Sequence, residues 1–180
     1  GKTTVSRILG KIFKALGILE RGHMVEVDRE SLIAGYVGQT AIKTAEKIEE
    51  AMGGVLFIDE AYALTEGKGS QYDFGGEAIS TILKRMEDNR GKFLVFAAGY
   101  TDNMNDFLAS NPGLNSRFDK KLHFEDYTSD QMLEIAKTYL KKEDIIATQE
   151  ALDHLKNYFE ELYKNKDKFF GNARTVRQTV

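Results

Sequence analysis

Apolar residues recur along the chain in two patterns, one typical of amphipathic helices and one of buried strands. Helical spacing runs through Val5–Leu16, Ala41–Met52 and Ala78–Met86. Continuous apolar runs, bounded by glycines, acids or a turn, occupy Val55–Ile58 and Phe93–Ala98. Runs of this kind are typical of strands that are buried on both faces of a sheet.

Two shorter segments complete the predicted sheet. The segment His23–Val27 is a strand candidate, and Lys121–Phe124 is predicted to be a further parallel strand. Strands that alternate with helices of this length form parallel sheets covered by helices. The first part of the chain is therefore predicted to have an α/β fold with a parallel sheet.

The last third of the chain shows helical spacing and no strand pattern. Thr128 and Gln131 have the spacing of a capping box at the start of an amphipathic helix. A second periodic helix is predicted over Ala151–Tyr163, and a last helix is predicted to begin near Asn172. We predict an α/β unit over residues 1–126 and a small helical subdomain over residues 127–180.

Composition excludes several kinds of site. The 180 residues contain no cysteine, which excludes disulfides, thiol nucleophiles and cysteine-ligated zinc. The net charge of -3 argues against a domain whose main task is to coat nucleic acid. No apolar run approaches the ~18 residues of a membrane span, and no signal peptide is visible. We therefore expect a cytoplasmic protein with no membrane partner.

The chain opens with Gly1-Lys2-Thr3-Thr4 and has no initiator methionine, which we interpret as a piece of a longer protein. Gly-Lys-Thr before a helix matches the end of the phosphate-binding motif G-x-x-x-x-G-K-[ST]. That motif supplies an ammonium group for the β and γ phosphates, a hydroxyl for Mg²⁺ and a helix N-terminus for the anion. Alone, the tripeptide is more often simply the start of an amphipathic helix.

Two adjacent acids, Asp59 and Glu60, directly follow the apolar run Val55–Ile58. In a parallel sheet this position lies at the carboxyl edge, where α/β proteins bind their ligands. Asp59 is suited to hold Mg²⁺, and Glu60 is suited to polarise an attacking water molecule. The alternative is a pair of acids that ends a strand at the solvent boundary. Combined with Lys2 and Thr3, the acids predict a P-loop NTPase that binds a nucleoside triphosphate with Mg²⁺.

Two arginines are placed where they could reach a nucleotide. Arg117 lies in the segment Asn111–Phe118, where a guanidinium group could stabilise charge on a transferring phosphoryl group. The alternative is a surface arginine paired with an acid such as Asp119. Arg174, at the start of the last predicted helix, could act from the helical subdomain, or it could simply be solvated.

The segment Gly35-Tyr36-Val37-Gly38 places an aromatic and an aliphatic residue between two glycines in a loop. An apolar pair in such a loop is suited to form an exposed gripping surface. The alternative is a hydrophobic staple that packs onto the helix that follows.

Taken in order, these motifs resemble those of the AAA+ ATPases over nearly the whole chain. They are most similar to the clade of CbbX, the red-type Rubisco activase, and the stage V sporulation protein K. The motifs are Gly-Lys-Thr-Thr, Tyr-Val-Gly-Gln-Thr-Ala, Gly-Gly-Val-Leu-Phe-Ile-Asp-Glu-Ala-Tyr, Ala-Gly-Tyr, Ser-Asn-Pro-Gly-Leu-x-Ser-Arg-Phe and Gly-Asn-Ala-Arg. The most specific parts of the resemblance are the block that contains Asp59 and Glu60 and the block Asn-Pro-Gly-x-x-Ser-Arg.

The resemblance implies an ATP-hydrolysing ring of identical subunits, usually a hexamer, that remodels a protein client by pulling it through a central pore. It implies roles for the residues at the matching positions. These are Gly1, Lys2, Thr3 and Thr4 for Walker A, Asp59 and Glu60 for Walker B, Tyr36, Val37 and Gly38 for the pore loop, Arg117 for the arginine finger and Arg174 for sensor 2.

Two departures from the family pattern leave questions open. The segment after Ala98 lacks the usual sensor 1 residue at the strand end, so sensor 1 is Tyr100, Thr101 or a neighbour. The core is also predicted to lack its first strand, which leads into the P-loop. Two other functions share this core chemistry: a nucleotide-dependent assembly switch or scaffold with little turnover, and a nucleic-acid motor or loader.

We predict that the 180-residue chain alone binds ATP weakly or not at all, and is inactive as an ATPase, because most of the phosphate cradle would precede Gly1. A titration with fluorescent ATP, run beside an N-terminally extended protein, tests this expectation. Equal affinities of the two proteins for ATP would refute it.

Overall fold

A parallel sheet of three short strands organises the first part of the molecule. The computed structural model describes residues 1–36, 38–66, 74–167 and 170–180. Its strands β1 (Met24–Val27), β2 (Val55–Ile58) and β3 (Leu94–Ala97) pair in the order β1-β2-β3. The register is parallel throughout, so all three strands end at the same edge of the sheet. The predicted α/β fold with a parallel sheet is confirmed.

Helices connect these strands and are the other regular elements of the described chain. None of them, within the described residues, is long and apolar enough to cross a membrane. The helices are α1 (Lys2–Ala15), α2 (Arg29–Leu32), α3 (Gln39–Glu50), a 3-10 helix (Ala61–Thr65), α4 (Phe74–Asp88), α5 (Thr101–Ala109), α6 (Pro112–Arg117), α7 (Ser129–Lys142), α8 (Gln149–Lys164) and α9 (Ala173–Thr179).

Strand β2 forms the centre of the core. All four of its residues are buried, as its continuous apolar sequence predicts, because strands lie on both sides of it. Strand β3 has an equally apolar sequence, yet each of its residues is only half-buried. In the described part of the chain a strand pairs with β3 on one side only, so its second edge is not covered by a ladder.

Helix α1 approaches the sheet through its small residues. Ser6 and Gly10 are its buried positions, and a Cβ atom added at Gly10 would lie 2.9 Å from the carbonyl oxygen of Gly22. Its apolar residues Ile8 and Ile12 are exposed instead. The helical period was therefore predicted correctly, but the buried side of the helix differs from its most apolar side.

The prediction of a strand at Lys121–Phe124 is wrong. Residues 118–128 form neither helix nor strand, and Leu122 and Phe124 are exposed. A parallel strand exists only where a neighbouring strand accepts and donates its ladder hydrogen bonds. No described strand lies beside this segment, and its alternation of apolar and charged residues does not by itself hold it extended.

The chain divides into two compact units, Gly1–His123 and Phe124–Val180. The second unit is helical and has its own core, in which Met132, Ala136, Phe159 and Val176 are fully buried. Helix α7 begins with the predicted capping box, in which Thr128 Oγ1 accepts from the Gln131 amide and the Gln131 side chain accepts from the Thr128 amide.

Gly54, which directly precedes β2, allows a test of how much the close packing of the main chain at this point contributes to stability. A Cβ atom at Gly54 would clash with the His23 carbonyl oxygen, which is part of the main chain and cannot move aside alone. We expect Gly54→Ala to lower the free energy of unfolding by about 1–3 kcal/mol, the usual cost of overpacking. Chemical denaturation followed by circular dichroism measures it. Gly35→Ala is the control, because no atom lies within 4 Å of its added Cβ, and an equal effect of both substitutions would contradict the expectation.

Candidate active site

The end of β2 holds the two adjacent acids in a fixed turn. The Asp59 amide donates to the carbonyl of Val27 at 2.8 Å, and the Ala61 amide donates to the carbonyl of Ala98 at 3.0 Å. Between these two anchors Glu60 adopts a left-handed conformation with φ 47° and ψ 46°. Such a conformation is uncommon for residues other than glycine. The turn is thus tied to β1 on one side and to β3 on the other, which leaves Asp59 half-buried and Glu60 exposed.

Lys2 lies at the start of α1, and its side chain reaches the segment that follows β3. Its Nζ atom is 5.8 Å from the centroid of the Tyr100 ring, within the range of a cation–π contact. Tyr100 stands directly before α5, at the carboxyl edge of the sheet. Because β2 and β3 are parallel neighbours, this contact places the Lys2 ammonium group at the same edge as Asp59 and Glu60.

The first turn of α1 leaves main-chain donors available beside Lys2. The first amide that bonds within the helix is that of Val5, which donates to the Gly1 carbonyl at 3.1 Å. The amides of residues 2 to 4 precede it, as in any helix, and form the positive end of the helix dipole. Gly1 and Thr4 are exposed and Thr3 is half-buried. An anion near Lys2 would meet both a formal charge and these donors.

Tyr62 is a site residue that sequence reasoning missed. Its ring packs on Gly99, where an added Cβ atom would lie 2.8 Å from Tyr62 Cδ1. Burial raises the pKa of the Tyr62 phenol, and the charge of Glu60 raises it further. Tyr62 therefore packs between the acidic turn and the segment that bears Tyr100. Its position three residues after Asp59 in Asp-Glu-Ala-Tyr was the available signal.

A third acid, Asp28, ends β1 at the same edge but has a structural task. Its Oδ1 atom accepts from the Ser31 amide at 2.8 Å and from the Ser31 hydroxyl at 2.6 Å, so it caps α2. These hydrogen bonds hold the pKa of the Asp28 carboxyl below its ordinary value. The described residues contain no cluster of three or more histidine or acidic side chains that could hold a metal ion on its own.

Tyr36 lies in the loop between α2 and α3, close to the end of α2, which hydrogen bonds hold in place. Lys43 Nζ donates to the carbonyls of Glu30 and Ile33, at 2.6 and 2.9 Å, and so closes the end of α2. Tyr36 is 73% exposed. Gly38 has a φ of 79° and begins α3, a conformation that favours glycine. Val37, the third predicted residue of this loop, lies outside the described residues.

Arg117 lies away from the acidic turn, at the end of α6. Its Nη2 atom is 3.2 Å from Glu87 Oε2, and Asp119, the partner considered from sequence, pairs with Lys120 instead. Glu87 belongs to the last turn of α4, which leads from the carboxyl edge of the sheet back to the start of β3. Arg117 therefore lies toward the amino edge, opposite Asp59 and Glu60.

Arg174 is in the second unit, in the first turn of α9, and is exposed. The turn before it is held by Asn172, which accepts from the Tyr127 amide at 2.7 Å and donates to Asp126 Oδ1 at 2.7 Å. The beginning of α9 is thereby fixed to the beginning of the second unit. The Arg174 side chain itself projects from this fixed turn.

Known proteins share this arrangement of two units. Residues 1–126 match the family model described as "ATPase family associated with various cellular activities (AAA)", and residues 128–180 match "AAA lid domain". The whole chain is 42% identical over 181 residues to the stage V sporulation protein K of Bacillus subtilis, of which it covers 56%. It is also 43% identical over 180 residues to the protein CfxQ homolog of Pyropia yezoensis, and it covers 59% of that protein. These matches confirm the resemblance stated from the sequence.

A third relative is the chloroplastic ribulose bisphosphate carboxylase/oxygenase activase of Cyanidioschyzon merolae. The identity is 41% over 180 residues, which are all of this chain and 58% of that protein. The chain thus spans somewhat more than half the length of the curated relatives it matches.

The capping role of Asp28 gives a prediction for its pH dependence. Because the folded-state pKa is lowered, the carboxylate stabilises the fold fully above its ordinary pKa of 3.8 and loses this effect as the pH falls through the folded-state value. We expect Asp28→Ala to cost about 0.5–1 kcal/mol at pH 7, as for an exposed N-cap. Denaturation curves at pH 7 and pH 3 measure it. Asp28→Asn should retain most of the stability, and a cost of Asp28→Ala that did not shrink in acid would contradict the prediction.

Proposed function

The chain belongs to the AAA family of ATPases, and from this membership we propose that the protein hydrolyses ATP at the carboxyl edge of its sheet. The observation that carries the proposal is the convergence of Lys2 with Asp59 and Glu60 at that edge, through the contact between Lys2 and Tyr100. A cation for the phosphates and an acid for the water are the two groups that phosphoryl transfer to water requires.

Each residue has a separate task in the proposed reaction. Lys2 binds the β and γ phosphates, with Gly1 and Thr4 beside it in the first turn of α1. The main-chain hydrogen bonds of Asp59 and Ala61 fix the backbone position of Glu60, and its exposed carboxylate is available to orient and polarise a water molecule. Tyr100, which contacts Lys2, is the better candidate for sensor 1 than Thr101, which begins α5.

The residues present fit a magnesium ion bound together with the nucleotide. Asp59 supplies a half-buried carboxylate and Thr3 a half-buried hydroxyl, both of them hard oxygen ligands. No larger acidic cluster occurs among the described residues, which matches an ion that takes its other ligands from phosphates and water. When bound, the ion would neutralise charge on the phosphate oxygens.

We further propose that the active form is a ring, with six subunits as the expected number. Arg117 lies toward the edge of the sheet opposite Glu60, which supports an action on a nucleotide held by a neighbouring copy rather than on its own nucleotide. A guanidinium group supplied by a neighbour makes hydrolysis depend on assembly. Arg174, exposed on the lid unit, is proposed as the sensor 2 arginine.

The proposed substrate of the ring is a protein client that is remodelled at a central pore. Tyr36 supports this proposal. It is exposed in a loop beside Val37 and Gly38, and the end of α2 before this loop is held by Lys43. An exposed aromatic side chain in such a loop can bind a polypeptide. The relatives include an activase of ribulose bisphosphate carboxylase/oxygenase, an enzyme that is itself a protein.

Glu60 separates a hydrolysing motor from an assembly switch that only binds ATP. In the full-length protein we expect Glu60→Gln to reduce the rate of ATP hydrolysis by about 10²–10⁴-fold, the usual contribution of a general base. Phosphate release and equilibrium ATP binding are to be measured on the same preparation, and ATP affinity should stay within a few-fold of wild type. Glu46→Gln, an exposed acid on α3, is the control. Unchanged hydrolysis by Glu60→Gln would exclude this role of Glu60.

A further inference from the structure

Arg117 is held by a single acid from another helix. Its Nη2 atom is 3.2 Å from Glu87 Oε2, and its side chain is 30% exposed. A second contact, from Nη1 to the carbonyl oxygen of Gly113, is 3.5 Å long and therefore weak. Nε is buried and makes no hydrogen bond with the described residues. The position of the guanidinium group thus depends mainly on Glu87.

The main chain brings the two residues together from helices that are distant in sequence. A Cβ atom added at Gly113 would lie 2.9 Å from Leu83 Cδ1, so α6 approaches α4 closely at this glycine. Asn111 caps α6 by accepting from the Gly113 amide at 2.8 Å, and Leu114 is buried in the core. These contacts fix the helix from which Arg117 projects, and Glu87 then fixes the side chain.

Glu87 is shared between two guanidinium groups. The same Oε2 atom also accepts from Arg90 at 3.0 Å, and Arg90 is 77% exposed. One carboxylate between two cations leaves a net positive charge on the cluster, so Arg117 is oriented without being neutralised. A cluster of this charge can still attract a phosphate group brought by another molecule.

From this geometry we infer that Glu87 is the positioning residue for Arg117, which holds the guanidinium group ready for the nucleotide of the neighbouring subunit. The inference rests on the proposed function, in which Arg117 acts on that nucleotide. An arginine side chain has many rotamers, and a partner that orders it beforehand lowers the entropic cost of ordering it in the transition state.

The competing explanation is an ordinary surface ion pair. Exposed pairs of this kind contribute little to stability, and removal of one partner then changes nothing in the chemistry. A positioning role differs because it acts only through Arg117. It therefore predicts a change in kcat with little change in KM for ATP, and it predicts that the effect disappears once Arg117 has been removed.

The test uses the full-length protein at concentrations where it is assembled, with kcat and KM for ATP measured for each variant. We expect Arg117→Ala to lower kcat by about 10³-fold or more. Glu87→Ala should lower kcat by about tenfold with KM within twofold, since misplacement of a catalytic group is costly. Glu87→Gln, which keeps an acceptor, should lie between Glu87→Ala and wild type. Glu49→Ala is the matched control, because it removes the acid of another ion pair to helix α4, that with Arg85, and it should leave kcat within twofold.

The double variant Arg117→Ala/Glu87→Ala decides between the explanations, because it should be no slower than Arg117→Ala alone. Additive losses would show that Glu87 acts independently of Arg117 and would overturn the inference, as would a normal or raised kcat for Glu87→Ala. If Arg117→Ala itself retained full kcat, the proposed arginine finger would fail, and with it the premise of this inference. Thermal unfolding of each variant identifies any loss of folded protein, and Glu87→Gln provides the readout if Glu87→Ala does not fold.

Discussion

The main-chain hydrogen bonds around the end of β2 are the constraint on which the candidate site depends. Asp59 bonds to the end of β1 and Ala61 bonds to the end of β3. The residue between them, Glu60, is left with a left-handed backbone conformation that costs energy and exposes its side chain. Because β2 is fully buried between its neighbours, the position of this turn is determined by the sheet rather than by solvent-exposed contacts.

The same topology explains why the candidate residues lie at two opposite edges of the sheet. Parallel strands place every strand end on one edge, which collects Lys2, Tyr100 and the two acids there. The helices that return to the next strand necessarily end near the other edge, and Glu87 with Arg117 lies on that side. The residues that we assign to one site therefore lie at opposite edges of the sheet, which is the reason why we propose a site shared between two copies.

Patterns within a few neighbouring residues correctly predicted those strands and helix ends that depend mainly on the same few residues. The uninterrupted run Val55–Ile58 indicated a strand buried on both faces, and Thr128 with Gln131 indicated a helix start, because burial and capping are readable within a few residues. Lys121–Phe124 was mistaken for a strand because pairing depends on a neighbour that the segment itself does not specify. The short helices α2, α5 and α6 were missed, since helices of this length owe their stability to tertiary contacts rather than to periodicity.

In the candidate site, too, the residues that are adjacent in sequence could be predicted and the contacts between distant residues could not. Asp59 and Glu60 could be identified because the chemistry and the strand that carries it are adjacent in sequence. The partner of Arg117 could not, because Glu87 is 30 residues away and its side chain reaches Arg117 only through the close approach of α6 to α4 at Gly113. Asp119, an acid nearer to Arg117 in sequence, forms an ion pair with Lys120 instead. Adjacency in sequence therefore identifies the groups that we propose to act on the nucleotide, whereas the group that we propose to orient Arg117 becomes visible only when the helices are packed.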